Sequence, residues 1–109
     1  MVTAVGDRVL AVAEIEGNIV FVFGVGVYEG MEIPPPGVGR NLALDLEYEL
    51  MPTAKIRLDN GEIVWGCECH FGPEQEFREV IRRQIPTAIF LPINLRAWRI
   101  ENALPWVDL

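Results

Sequence analysis

Lysine is almost missing from this sequence. Lys55 is the only one, and the other eight of its nine bases are arginines. Bases are scarce as a class: sixteen acids oppose them, for a net charge of −7. A protein that grips duplex nucleic acid needs a basic face, and no such face is visible here. Long apolar runs are missing too. The longest, Ile19 to Tyr28, is ten residues broken by two glycines, well short of the ~18 that suggest a membrane span. The N-terminus lacks the charged-then-apolar order of a signal peptide, because Asp7 and Arg8 interrupt it early. A cytosolic protein is expected. There are only two cysteines, Cys67 and Cys69, and one histidine, His70. Two cysteines make no disulfide framework. At i and i+2 of a strand their side chains also stand too far apart to bridge, so reduced thiols are expected.

What is present is a core. Half of the 109 residues are hydrophobic, enough to fold and of a length that suits one domain, 1–109. Arg8–Ile15 alternates like a strand, Glu16-Gly17-Asn18 reads as a turn, and Ile19–Glu29 is rich in valine and phenylalanine. Together they predict an N-terminal β-hairpin. A second hairpin is predicted from Ala54–Asp59, Asn60-Gly61 and Glu62–Cys69, since Asn-Gly between alternating runs is a strong hairpin signal. On its return strand Ile63, Trp65, Cys67 and Cys69 are expected on one face, and Val64, Gly66, Glu68 and His70 on the other. Gly72-Pro73 then suits a helix start, with Glu74 and Glu76 at its positive end and Phe77, Val80, Ile81 and Ile85 as a buried stripe. Pro86 ends it. Thr87–Ile93 reads as a further strand, and Leu95–Glu101 fits strand or helix. The run from Ile33 through three prolines to Gly39 reads as a loop. For Asn41–Met51 the alternation of Leu42, Leu44, Leu46, Tyr48 and Leu50 fits a strand, while composition favours a short helix, since a strand would set Asp45, Glu47 and Glu49 side by side. The apolar tail Ala103–Leu109 is expected to dock on its own chain or a neighbour's. The fold class is α+β: two β-hairpins plus a further strand form a curved sheet or open barrel, with one main helix (about 73–85) packed on it.

Candidate chemistry is thin. Cys67, Cys69 and His70 are three metal-ligand types in four residues, but a structural zinc site needs four ligands and usually wider cysteine spacing. No metal and no cofactor are expected. A Cys69 nucleophile would need a base within reach, and the adjacent histidine of a strand points away. Glu74 and Glu76 repel an anion from the helix start, so no phosphate cradle is expected there. Gly24 and Gly26 share a face with Val22 and Tyr28, which marks a close approach. It is filled either by a crossing element or bulge, or by a flat ligand such as a base. Aromatic and arginine side chains remain: Tyr28, Trp65 and Trp98 to stack, and Arg40, Arg57 and Arg96 to hold an anion. The alternative for these residues is ordinary core packing and pairing with glutamates.

The segments "KIRLDNGEIVWGCECHFGPEQEF" and "FGVGVYEG" carry a resemblance. They are similar to a group of small uncharacterised phage and prophage proteins whose pattern reads I-R-L-D-N-G-x-V-V-W-G-C-E-C-W-W-G-P-E after an earlier G-x-G-V-Y-x-G. His70-Phe71 stands where that pattern has two tryptophans, which implies that the histidine is no required ligand. The resemblance implies a phage protein acting in the host cytoplasm. By analogy it implies a non-enzymatic sponge, a homo-oligomer that sequesters a small host nucleotide immune signal. Its ligand residues would be Tyr28, Trp65 and His70 for stacking and Arg40 or Arg57 for phosphate. One alternative is an acidic protein–protein inhibitor of a host factor, since residues 1–54 carry a net −6 against −1 for residues 55–109. Others are a structural phage protein with a minor Cys/His metal site, and an enzyme acting through Cys69.

Overall fold

The computed structural model describes residues 2–35 and 52–102. The expectations for Arg40, for 41–51, for the loop beyond Pro35 and for the tail 103–109 lie outside the described residues. The fold is α+β. In chain order it runs β1 (Arg8–Glu16), β2 (Ile19–Glu32), β3 (Thr53–Leu58), β4 (Ile63–Trp65), β5 (His70–Pro73), α1 (Glu74–Gln84), β6 (Ile89–Pro92) and α2 (Leu95–Glu101).

Five strands follow the order β4-β3-β2-β1-β5, each antiparallel to the next. The sixth, β6, lies parallel to the first half of β2, pairing Ile19–Val22 with Ile89–Pro92. β2 therefore has β1 along one side, and β6 and β3 end to end along the other. Both expected hairpins are present. The second turns at Asn60-Gly61, where Gly61 has φ 91 and Asn60 Oδ1 accepts from the Glu62 N–H.

The sheet is open but strongly curled, and chain connectivity requires it. β4 and β5 sit at opposite ends of the strand order, yet only Gly66–Cys69 join them. Five Cα steps reach at most ~17 Å, whereas four strand spacings of a flat sheet span ~19 Å. The link also turns on itself, with the Glu68 N–H bonded to the Trp65 carbonyl at 2.8 Å. Only a curled sheet brings its two ends within that reach.

Curling gives the sheet two buried faces. Inside lie Val9, Ala11, Phe23, Ile56, Leu58 and Val64, closed by Leu95 of α2. Trp98 of α2 sets its ring edge-on to Phe23, 5.2 Å between centroids. Outside, Leu10, Val12, Val20 and Val22 pack under Ile81 of α1, with Phe77 and Ile85 beside it. This explains why Val9 to Val12 are all buried although they alternate faces. Burial of about 25 cal/mol per Å² of apolar surface on both faces makes β1 the central wall of the protein.

Two register shifts, at Ala11/Val12 and Val12/Glu14, bend the long hairpin where Gly24 takes φ 130. The close approach expected at Gly26 comes from the chain itself. A Cβ there would lie 2.8 Å from both Arg57 C and Leu58 Cα, and nearest of all to the Arg57 carbonyl oxygen. β3 fills the space, so the ligand reading of Gly26 is corrected. The bulge also parts the shared face expected for Val22 and Tyr28: Val22 joins the outer core and Tyr28 the inner one.

α1 matches the expected main helix within a residue. Pro73 caps it, Glu74 and Glu76 lie in the first turn, and Arg82 and Arg83 in the last. Arg78 and Arg82 each place their guanidinium 5.0 Å from the Phe90 ring centroid, tying α1 to β6. Leu95–Glu101 resolves as helix, capped by Asn94, whose Oδ1 accepts from the Ala97 N–H at 2.8 Å.

Candidate functional site

The return strand of the second hairpin ends at Trp65, earlier than its alternation suggests. Cys67 and Cys69 lie in the turn that follows, not on a strand behind Trp65: Cys67 is exposed and Cys69 partly buried against the inner core. Glu68, expected on the strand face opposite Trp65, turns inward and is the buried charge among the described residues, 4% exposed. A buried carboxylate must be paired. Arg99 of α2 pairs it in bidentate fashion, Nε to Oε2 at 2.7 Å and Nη2 to Oε1 at 2.8 Å. The Trp65 N–H also donates to Oε1, at 3.1 Å. Arg99 Nη2 reaches the Ile63 carbonyl at 2.8 Å. The hydrogen bond to Glu68 raises the Arg99 pKa further above its ordinary value. This clamp fixes α2 against β4 and the turn.

Beside the clamp opens a groove of about 540 Å³. Trp65 and Ile63 of β4, Lys55 of β3, Arg99 of α2, and Ile33 and Pro35 after β2 line it, with Glu32 and Glu62 on its rim. Lys55 sits opposite Trp65 in the β3–β4 register. Its ammonium lies 3.0 Å from Glu32 and 3.9 Å from Glu29. Among the described residues the Arg99 Nη1 donors have no protein acceptor. The groove thus joins an aliphatic shelf to two cations, one held loosely and one held rigidly.

The five residues expected to form a ligand site fall in different places. Trp65 lines this groove but is only 5% exposed, so little of its ring is open for stacking. Arg57 lies two positions along β3 from Lys55 and is engaged by Glu29, Nε to Oε2 at 3.0 Å. That hydrogen bond raises the Arg57 pKa and lowers that of Glu29. Tyr28 is on the opposite face, stacked on Phe71 with 5.8 Å between centroids. His70 is exposed and lines a second groove, between β1 and α1. Arg40 lies outside the described residues. Of the four that are described, Trp65 alone lines the groove beside the clamp, and Tyr28, Arg57 and His70 do not.

Cysteine chemistry has little support in this geometry. The Cys69 thiol donates to the Trp65 carbonyl at 3.5 Å, and burial, with help from Glu68, pushes its pKa up to about 12. A nucleophile or metal ligand needs the thiolate. His70 turns outward while Cys69 packs on the inner core, and among the described residues no three metal-ligating side chains converge. No helix among them is long and apolar enough to cross a membrane.

Sequence reasoning missed Glu68, Arg99 and Lys55 as the groove's charged frame. The usable signals were Asn94, a good N-cap that would have made 95–101 a helix, and Gly66, where a Cβ would press on Ala54 and Thr53 at 3.0 Å. Compared with protein-family models, curated proteins and solved structures, the chain matches none.

Proposed function

We propose that this chain is a non-enzymatic binding protein that sequesters a small nucleotide-like ligand, with the groove beside Trp65 as its contribution to the site. The observation that supports this reading is the pairing of an aliphatic shelf, Ile33, Pro35 and Ile63, with Lys55 and the Nη1 edge of Arg99, which has no protein acceptor among the described residues. A volume of about 540 Å³ is in the range of small-molecule sites. The shelf suits a flat base. Phosphate would go to Lys55, because Glu32 is half exposed and its surface pair with Lys55 is worth only ~0–1 kcal/mol. A second subunit would complete the pocket, as the homo-oligomeric phage sponge of the sequence reading requires. Phage origin, action in the host cytoplasm and interference with a host immune signal belong to the same proposal.

The test is calorimetry and thermal shift of the pure protein with cyclic dinucleotides and ADP-ribose-type nucleotides. Binding should fall at least tenfold in Lys55→Ala and Ile33→Asp. The reading fails if no member of the panel gives heat or a shift.

A further inference from the structure

β1 is longer than the strand that covers its outer edge. β5 pairs only with Val9–Val12, while β1 runs on to Glu16. From Ala13 to Glu16 that edge has no neighbouring strand among the described residues. An uncovered edge presents backbone N–H and C=O groups that an extended chain can pair with. α1 runs alongside and leaves a cleft of about 490 Å³, walled by Val12, Ile15, Phe77, Val80 and Ile85. A backbone edge beside an apolar wall is the make-up of a strand-addition groove. The ladder supplies affinity, and pockets for alternate side chains supply selectivity.

Charge selects the occupant. Glu14 lines the cleft and Glu16 ends the strand, both exposed. Arg78 and Arg82 of α1 do not offset them, because both are drawn to the Phe90 side of the helix. Two copies paired edge to edge would oppose Glu14 and Glu16 to each other, and like charges facing across a ladder are destabilising. An acidic segment is repelled for the same reason. The segment that fits places an apolar side chain in the cleft and lysine or arginine on either side of it.

We infer that the Ala13–Glu16 edge of β1 and the adjoining flank of α1 dock an extended segment of another protein, alternately apolar and basic, by strand addition. The surface is separate from the Trp65 groove and stands whether or not that groove binds a nucleotide. The probe is a fluorescein-labelled peptide alternating lysine and valine, seven residues long, titrated with the full chain by fluorescence anisotropy. Saturable binding is expected. It should weaken at least tenfold for Ile15→Asp, for the Glu14→Lys/Glu16→Lys pair, for a glutamate–valine peptide, and for the lysine–valine peptide N-methylated at alternate amides. Glu101→Lys, which alters charge elsewhere, should bind as the parent does. Since residues 14–16 are exposed, these variants should keep the parent's circular dichroism. No binding, or equal binding by the acidic or N-methylated peptide or by Ile15→Asp, overturns the proposal. So does binding that appears only after removal of residues 103–109, or a dimer in sedimentation that Ile15→Asp dissolves. Those outcomes would assign the groove to the chain's own tail or to a second copy.

Discussion

Replacing Arg99 with alanine strands the Glu68 carboxylate. In the native protein that side chain is wholly shielded, with Arg99 on both oxygens and the Trp65 N–H on one. Without the guanidinium, a single hydrogen bond remains to a buried charge. Removing one partner of a fully buried pair costs about 3–5 kcal/mol. Arg99 is itself 34% exposed, so water can enter the space it leaves, and a loss of about 2–3 kcal/mol is expected. Domains of this size hold about 5–15 kcal/mol in total, so the variant should still fold. Urea unfolding followed by tryptophan fluorescence measures the change. With a slope of about 1.5 kcal/mol/M the midpoint should fall by about 1.3–2 M at unchanged slope. Glu68→Gln keeps an acceptor for the Trp65 N–H and should cost about 1–2 kcal/mol. The double variant has no stranded charge, so its loss should be at least about 1 kcal/mol less than the sum of the two single losses. Additive losses, or a midpoint shift below about 0.5 M for Arg99→Ala, would refute the reasoning: Glu68 would then be stabilised by something other than Arg99.

Three further outcomes follow from the same geometry. Gly26→Ala forces a methyl group into the β3 backbone at Arg57 and Leu58. It should cost about 3 kcal/mol or more, read as loss of cooperative thermal unfolding. Alanine at Arg96, which is exposed on α2, serves as the tolerated control. Native Cys69, with its thiol pushed up to about 12 by burial, should be alkylated by iodoacetamide at pH 8 roughly a thousandfold more slowly than in the urea-unfolded chain. Mass spectrometry of the Cys69 peptide checks this, and a difference under tenfold contradicts it. Because that pKa is raised by folding, the associated stability is complete below about pH 9 and is lost as pH rises toward 12. Asp59 and Glu29 behave oppositely. Hydrogen bonds from Arg8 and Arg57 hold their pKa values below the ordinary carboxylate range. Their contribution is present at neutral pH and is lost as pH falls through the ordinary carboxylate range and then through the lower folded values. The acid-induced drop in urea midpoint should be smaller in the Arg8→Ala/Arg57→Ala variant.

The elements that depend on local signals were legible. Asn60-Gly61 marks its hairpin, and the stripe Phe77, Ile81, Ile85 after Gly72-Pro73 marks its helix, because turn chemistry and helical period act within a few residues. Partner choice was not legible. Nothing local in Ile89–Pro92 tells that it lies parallel to Ile19–Val22, since any apolar run can pair with any other. The cysteines were misplaced for a related reason. Alternation continues through Trp65-Gly66-Cys67-Glu68-Cys69, but the chain leaves the sheet at Gly66 to join the two ends of the curl. Only the curled geometry makes room for a buried Glu68. Of the expected ligand residues, Trp65 lines the groove. Lys55 and Arg99 were passed over because their value comes from where β3 and α2 deliver them.

The four-residue link Gly66–Cys69 also bears on the order in which the molecule assembles and opens. It ties β5 to the second hairpin, but the pairing that closes the curl, β5 on β1, spans 58–64 positions, much like the seventy between Ile19 and Ile89. Loop entropy hardly separates the two closures, but β1 is buried on both faces whereas β6 is largely exposed, so β6 with its flanking helices should form last. The last unit to form is the first to detach in sub-global opening. Amides of β6 and of Ile93, which bonds to the Val22 carbonyl at 2.9 Å, should therefore exchange at a lower free energy than those of Val9–Val12. Residues 74–102 would then act as a releasable foldon. Its departure bares the outer core and withdraws Arg99 from the Trp65 groove in one motion, so ligand capture there would be coupled to the chain's own partial unfolding.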